Sequence, residues 1–184
     1  MKTPNTFGIW GNSQKPAFWE YLPQIMTWAE SSSSLDVFLT THIVKRLENK
    51  RQYTYHIIES AEDFHKLDFI LALGGDGTIL SLARAVAHRD TPILGVHLGK
   101  LGFLAEVTSD QMFTRLNQVV SGEYQIQKRM VLKGSVKCGE EDKTFYALND
   151  FVVDRSASYR LLSCLLKSNG HIVAKYQADG LIVS

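Results

Sequence analysis

Cysteine is scarce in this chain, and charge of one sign scarcer still. Two cysteines, Cys138 and Cys164, stand far apart among 184 residues, without CxxC spacing and without histidines around them. That count excludes a disulfide framework and a cysteine-based zinc site, and leaves two reduced, packed thiols as the expectation. Twenty Lys and Arg against nineteen Asp and Glu give a formal charge of +1. So balanced a surface removes the usual case for nucleic acid or an anionic membrane as partner, so any anion must be bound by a locally built site. No apolar stretch approaches the ~18 residues that cross a bilayer. The opening Met1-Lys2-Thr3-Pro4-Asn5-Thr6 has no long apolar run behind it and does not read as a signal peptide. A cytoplasmic protein is expected.

What is present is an ordinary globular composition, 45% hydrophobic and 21% charged. A chain of this length buries roughly 70% of its unfolded surface, enough for a core without staples. Phe7 to Asn12 reads as a short buried strand entering a Gly/Asn turn. Pro16 opens a helix with apolar residues Phe18, Tyr21, Leu22, Ile25, Met26 and Trp28, which Pro23 is expected to break or kink. Ser31 to Ser34 reads as a solvated loop, Leu35 to Leu39 as a strand, Ile43 to Leu47 as helical, and Tyr53, Tyr55 and Ile57 alternate as in a strand.

The clearest unit starts at Asp68. Phe69-Ile70-Leu71-Ala72-Leu73 is continuously apolar, as in a parallel strand buried on both faces. It runs into Gly74-Gly75-Asp76-Gly77-Thr78, after which Ile79, Leu82, Ala83 and Val86 recur at helical spacing. Strand, glycine loop and helix make half of a βαβ unit. Thr91 to Val96 supplies the next strand, followed by a second glycine-rich loop at Gly99 and Gly102. The expected fold is an open, mostly parallel α/β sheet with its working loops at the carboxyl ends of the strands. A helix bearing Met112, Phe113, Leu116, Val119 and Val120 is expected to be capped by Ser109 and stopped by Gly122. Beyond it the texture turns to short strands: Val131 to Val136, Thr144 to Leu148, Phe151 to Val153, Leu161 to Lys167, Ile172 to Ala174 and Leu181 to Val183. The expected division is an α/β domain over 1–122 and a β-rich region over 123–184.

The loop 74–78 carries the chemistry. Glycines let another molecule approach the backbone, and a helix N-terminus behind them suits a phosphate. A carboxylate there repels an anion unless it takes a proton from an attacking hydroxyl or a cation stands between them. Asp76 is therefore either a base in phosphoryl transfer or simply a turn residue hydrogen-bonded to its own loop. The loop is not a G-x-G-x-x-G fingerprint, because Leu80 follows at the third glycine position, and not a Walker loop, because Gly99-Lys100 continues to Leu101.

Gly74-Gly75-Asp76-Gly77-Thr78, followed by Gly99-Lys100-Leu101-Gly102-Phe103-Leu104-Ala105, resembles the signature of the NAD kinase (ATP-NAD kinase) family. Glu123-Tyr124 and Arg129-Met130 resemble the family's linker, Ala147-Leu148-Asn149-Asp150 its nucleotide-contact motif, and Ala178-Asp179-Gly180-Leu181-Ile182-Val183-Ser184 the start of a later segment. The likeness runs from about residue 7 to residue 184. GGDGT alone is shared with lipid kinases; the four motifs in order are far more specific.

The resemblance implies that Asp76 acts on the 2′-hydroxyl of the adenosine ribose of NAD, with Gly74, Gly75, Gly77 and Thr78 along the phosphate path. It implies that Asn149 and Asp150 contact the adenine and ribose, that Phe103 packs beside the nucleotide, and that Asp179 contacts substrate. Read without it, Phe103 is a core aromatic and Asp179-Gly180 a hairpin turn. His97 stands where many family members have Asn and is assigned a structural role; Gln177 stands where some carry Arg; Lys100 and Arg155 are candidate phosphate neutralisers. ATP or polyphosphate is the implied donor, with Mg2+ travelling on it rather than in a protein cage, and a dimer or tetramer is implied. A lipid kinase sharing the loop and a non-catalytic nucleotide-binding module are the alternatives. The family's T-P-T-G-S-T segment, expected directly after Ser184, completes the adenine pocket. On that resemblance the β-rich domain is only partly present, and the 184-residue chain is expected to show little or no kinase activity.

Overall fold

The computed structural model describes every residue except Met1, Lys2, Ser33, Ser34, His88, Lys100 and Leu101, together with the side chain of Cys138. The chain divides into two compact units, one ending at Lys128 and the other spanning Arg129–Ser184.

In the first unit, strands β1 (Thr6–Gly11), β2 (Asp36–Thr40), β3 (His56–Ile58), β4 (Phe69–Leu73), β5 (Ile93–His97) and β6 (Val107–Thr108) form one sheet in the order β3-β2-β1-β4-β5-β6. All neighbouring pairs are parallel. The chain winds outward from β1 to β3, returns to the other side of β1 as β4, and winds outward again. The reversal between β1 and β4 is a topological switch point, where the loops leaving the two strands diverge and open a crevice. The six-strand order is that of dinucleotide-binding sheets, although the glycine fingerprint of those sheets is absent from the β1 turn.

Helices α1 (Pro16–Ser31), α2 (Thr41–Arg46), α3 (Asp76–Val86) and α4 (Met112–Val120) connect the strands, with a 3-10 turn at Ala61–Lys66. One face of the sheet, carrying Phe7, Ile9, Leu39, Leu71 and Leu73, packs on Phe18, Leu22, Ile25 and Met26 of α1, Ile43 of α2 and Met112 and Leu116 of α4. Every residue of β4 is buried, as its uninterrupted apolar run requires.

Several expectations need correction. Pro23 lies inside α1, and the helix runs unbroken from Pro16 to Ser31. Pro23 is exposed, while Phe18, Leu22, Ile25, Met26 and Ala29 are buried along the opposite stripe. An internal proline costs about 3 kcal/mol, whereas burial of large apolar side chains contributes roughly 1.5–3 kcal/mol each, so packing prevails. Ser31 belongs to this helix, and Ser33 and Ser34 of the serine run lie outside the described residues. Tyr53 and Tyr55 precede β3 and pack partly buried against the core rather than extending the strand. Ser109 does not cap α4, which begins at Met112 without a side-chain cap; Gly122 follows it in the left-handed conformation, with φ 78°. The two-residue strand β6 carries too few residues for any periodicity to reveal.

The second unit contains strands β7 (Leu132–Cys138), β8 (Glu141–Ala147), β9 (Phe151–Asp154), β10 (Leu162–Ser168), β11 (His171–Ala178) and β12 (Gly180–Val183), paired antiparallel as β7-β8, β10-β11 and β9-β12. The β10-β11 hairpin turns on Asn169-Gly170, both at positive φ, the backbone that a tight two-residue turn demands. Cys164, on β10, is a free thiol and half-buried. Among the described residues, no helix is long and apolar enough to cross a membrane.

Candidate active site at the sheet switch point

The carboxyl ends of β1, β2 and β4 border a cleft of about 480 Å³, within the size range of small-molecule sites. Trp10, Asn12 and Lys15 line it from the β1 end, Thr40 and His42 from the β2 end, and Gly75, Gly77 and Thr78 from the β4 end. The loop after β1 is held in shape by side chains that bond to its backbone. The Ser13 carbonyl accepts from Trp19 Nε1 at 2.9 Å and from Arg46 Nη1 at 2.5 Å. Gln14 N–H donates to Asn12 Oδ1 at 3.0 Å. Trp10 Nε1 donates to Ser81 Oγ at 3.1 Å, and Ser81 Oγ donates to the Thr78 carbonyl at 2.8 Å, which ties the end of β1 to the first turns of α3.

Two helices begin at this cleft, α1 behind Lys15 and α3 behind Gly75, and neither has a side-chain cap. Their free N–H groups and dipoles favour an anion. Among the described residues no carboxylate lines the cleft, and Lys15 adds positive charge. A Cβ on Gly75 or Gly77 would meet nothing within 4 Å, so these positions leave open backbone facing the cleft, where a phosphate oxygen can approach N–H groups directly. Gly74 is different in kind: a Cβ there would overlap Thr78 Oγ1, so this glycine serves the turn itself.

Asp76 is the first residue of α3, rather than part of a loop before it, and its carboxylate is absent from the cleft lining. It belongs to the second glycine-rich loop. Phe103 N–H donates to Oδ2 at 2.8 Å and Leu104 N–H donates to Oδ1 at 3.0 Å. Those two donors, Phe103 first, hold the Asp76 carboxyl below the ordinary carboxylate range; the Ala105 amide and the nearby His97 add to the effect, and desolvation opposes it. The first turn of α3 thus offers open backbone to the cleft and a fixed carboxylate to the 102–105 loop. Two of the roughly four acceptor positions of the carboxylate are used, leaving others for a hydroxyl. This is more than the local turn contact that the bare loop allows.

Gly102 makes the clamp possible, because a Cβ there would overlap Asp76 Oδ1 and come within 2.6 Å of its Cγ. Gly102→Ala is expected to expel the carboxylate, and amide hydrogen exchange at Phe103 and Leu104 should then accelerate by about tenfold or more. Unchanged exchange at both amides would show that the two bonds do not hold the loop.

Phe103 is 97% exposed, so the core-aromatic alternative is wrong; its N–H is engaged and its ring is free. His97 ends β5 and is 2% exposed, in keeping with a structural placement, yet neither ring nitrogen has a partner among the described residues. It shares a face of the strand with Gly95, against which Ile79 of α3 packs. Lys100 lies outside the described residues. In the second unit, Asn149 and Asp150 sit between β8 and β9, with Asn149 Nδ2 donating to Asp150 Oδ2 at 2.5 Å. Asp179 is not in a hairpin turn: it is the corner where the chain leaves the β10-β11 ladder for the β9-β12 ladder, and it pairs with Arg155. Arg155 is therefore engaged with a carboxylate rather than free for phosphate. Gln177 is exposed on β11, opposite Ser163. Sequence reading missed the cleft residues Trp10, Asn12, Lys15, Thr40 and His42; the Gly11-Asn12 turn was their only local signal.

Together, the sheet and its cleft define a doubly wound α/β protein with an anion-receptive switch-point site. Residues 7–124 match the model of the ATP-NAD kinase N-terminal domain, and the chain belongs to the NAD kinase family. It is 38% identical over 178 residues to an NAD kinase of Caldanaerobacter subterraneus subsp. tengcongensis, covering 96% of this chain and 61% of that protein. It is 43% identical over 137 residues to one of Thermoanaerobacter sp. (strain X514), covering 74% of this chain and 48% of that protein. The chain therefore spans about half to three-fifths of the length of these relatives. Among solved structures, yeast NADH kinase complexed with NADH shares the fold with a TM-score of 0.86 at 21% identity, over 99% of this chain and 57% of that one. An NAD kinase from Archaeoglobus fulgidus in complex with ATP gives 0.63 at 18% identity, over 96% and 59%.

Proposed function

We propose that the protein is an NAD kinase, transferring a phosphoryl group from ATP or polyphosphate to the 2′-hydroxyl of the adenosine ribose of NAD to give NADP. The observation that carries this reading is the division of labour at the first turn of α3. Gly75 and Gly77 present bare backbone to an anion-receptive cleft, while Asp76 is clamped on the side of the 102–105 loop. The donor's phosphates occupy the cleft, drawn by the starts of α1 and α3 and by Lys15. The ribose hydroxyl approaches Asp76, which orients it and accepts its proton as the new O–P bond forms and the donor's terminal anhydride P–O bond breaks, its electron pair leaving on ADP or the shortened polyphosphate. Transfer of this kind needs chiefly positioning and charge stabilisation.

Phe103 offers an exposed ring for the acceptor nucleotide, and in the second unit Asn149, Asp150 and Asp179 contact NAD. An Asn amide reads a base edge, and carboxylates accept from ribose hydroxyls. Among the described residues, no three His, Cys, Asp or Glu side chains gather to hold a metal ion. Mg2+ suits this site as a companion of the donor's phosphates, which supply the oxygen ligands it prefers; bound there it neutralises phosphate charge. On the same reading, residues 1–122 form the nucleotide and phosphate domain, residues 123–184 belong to the NAD-binding domain, and the protein works in the cytoplasm as a dimer or tetramer.

The test is a transfer assay with labelled ATP that offers NAD and a diacylglycerol or sphingoid base side by side. Label in NADP supports the reading. Label in the lipid alone, or binding of NAD and ATP with no transfer by any chain carrying this site, overturns it.

A further inference from the structure

Asp179 stands at an exposed corner, its side chain 74% accessible, where a free carboxylate would move among several rotamers. It is not free. Arg155 Nε lies 3.0 Å from Asp179 Oδ1, and the Arg155 backbone N–H donates to the Asp179 carbonyl at 3.2 Å. The same guanidinium reaches the other way, Nη1 donating to the Tyr159 carbonyl at 3.1 Å, while the Arg155 carbonyl accepts from Ser158 N–H at 3.0 Å. Ser156, at φ 51°, donates its N–H to Asp154 Oδ1 at 2.8 Å and starts the turn. On the other side, β9 and β12 run so close that a Cβ on Gly180 would come within 2.8 Å of the Val153 carbonyl. Arg155 is thus the common point of the 154–160 turn and the 178–180 corner.

Exposed ion pairs of this kind contribute little to stability. What the geometry supplies is orientation. One carboxylate oxygen is fixed against Nε, and among the described residues the other is left to accept. A carboxylate accepts and does not donate, so its ligand must bring an O–H or N–H rather than a phosphate oxygen. We infer that Arg155 is the positioning residue for Asp179, holding it to accept from a hydroxyl or amide N–H of a bound dinucleotide. The inference rests on the NAD-binding reading above and adds Arg155 to it. A lysine does not substitute, because only the planar fork serves Asp179 and the Tyr159 carbonyl together.

The experiment is calorimetric titration of NAD into the parent chain and into Arg155→Ala, Arg155→Lys, Asp179→Ala and the double variant Arg155→Ala/Asp179→Ala, with melting curves for each. Arg155→Ala is expected to weaken NAD binding by about tenfold with little change in melting temperature, as for other surface substitutions. Arg155→Lys should recover only part of the loss. The decisive readout is non-additivity: the double variant should bind no more weakly than Asp179→Ala alone, because Arg155 acts only through Asp179. Additive losses, unchanged affinity in Arg155→Ala, or tighter binding on its removal would each overturn the inference while leaving the NAD reading intact. Failure of the parent chain to bind NAD would overturn both.

Discussion

In a chain that carries this site and has NAD kinase activity, Asp76→Asn is expected to lower the rate of phosphoryl transfer to NAD by about 10²–10⁴-fold, the range expected for loss of a positioned base, while NAD binding is retained. An Asn amide has the size of the carboxylate but keeps a single acceptor oxygen. Phe103 N–H and Leu104 N–H each face one carboxylate oxygen, so in the variant one of them meets an NH2 group and loses its acceptor. The variant therefore loses proton-accepting capacity and half of the clamp at once. Single-turnover measurement with labelled donor separates transfer from binding, which titration of NAD reports. A variant that transfers phosphate at the parent rate would remove Asp76 from the chemistry; one that no longer binds NAD would make the clamp, rather than the base, its main contribution.

The clamp also sets the pH behaviour. The Asp76 carboxyl is held below its ordinary value of 3.8, so the group is ionised throughout the neutral range. A depressed folded-state value means that the stabilisation is fully present above the unfolded value and is lost as pH falls through the folded one. Any acidic limb of the rate profile that belongs to Asp76 therefore lies below pH 3.8. The same depression makes it a weak base in the ground state. On the proposed function, Asp76 takes the proton late, when the attacking oxygen has begun to bond to phosphorus and its proton has become acidic. A loose, largely dissociative transition state is consistent with that order, because the nucleophile contributes little bonding early on.

Legibility followed the range of the interactions involved. The buried strand Phe69–Leu73 and the helix after it were readable because their signals are local: an apolar run, a glycine turn, a 3.6-residue period. The strands of the second unit were readable for the same reason, with boundaries within a few residues. The clamp on Asp76 was not readable, since its donors lie 27 and 28 residues away. The cleft needed the strand order, which brings the turn after β1 beside the turn after β4 from more than sixty residues away. Pro23 misled because a local rule was applied where tertiary burial prevails. Phe103 could not be placed by hydrophobicity, which alone makes an aromatic look like core.

Phe18→Ala is the substitution expected to damage the first unit most. Phe18 is fully buried in α1, packs edge-on to Trp19 with ring centroids 5.3 Å apart, and lies so close to Gly11 that a Cβ there would overlap its ring. Removing the ring empties space at the end of β1, beside Gly11. Large-to-small changes of this type cost about 3–5 kcal/mol, and a loss of that size lowers a melting temperature by roughly 10 °C or more. The site is affected as well, since the ring supports Gly11, and Gly11 leads into the 12–15 loop that lines the cleft. Phe18→Leu tests the cause, because it keeps most of the apolar volume and should recover much of the stability. A melting curve for Phe18→Ala within a few degrees of the parent would show that the β1 end is held by its hydrogen bonds from Trp19 and Arg46 to Ser13 rather than by packing.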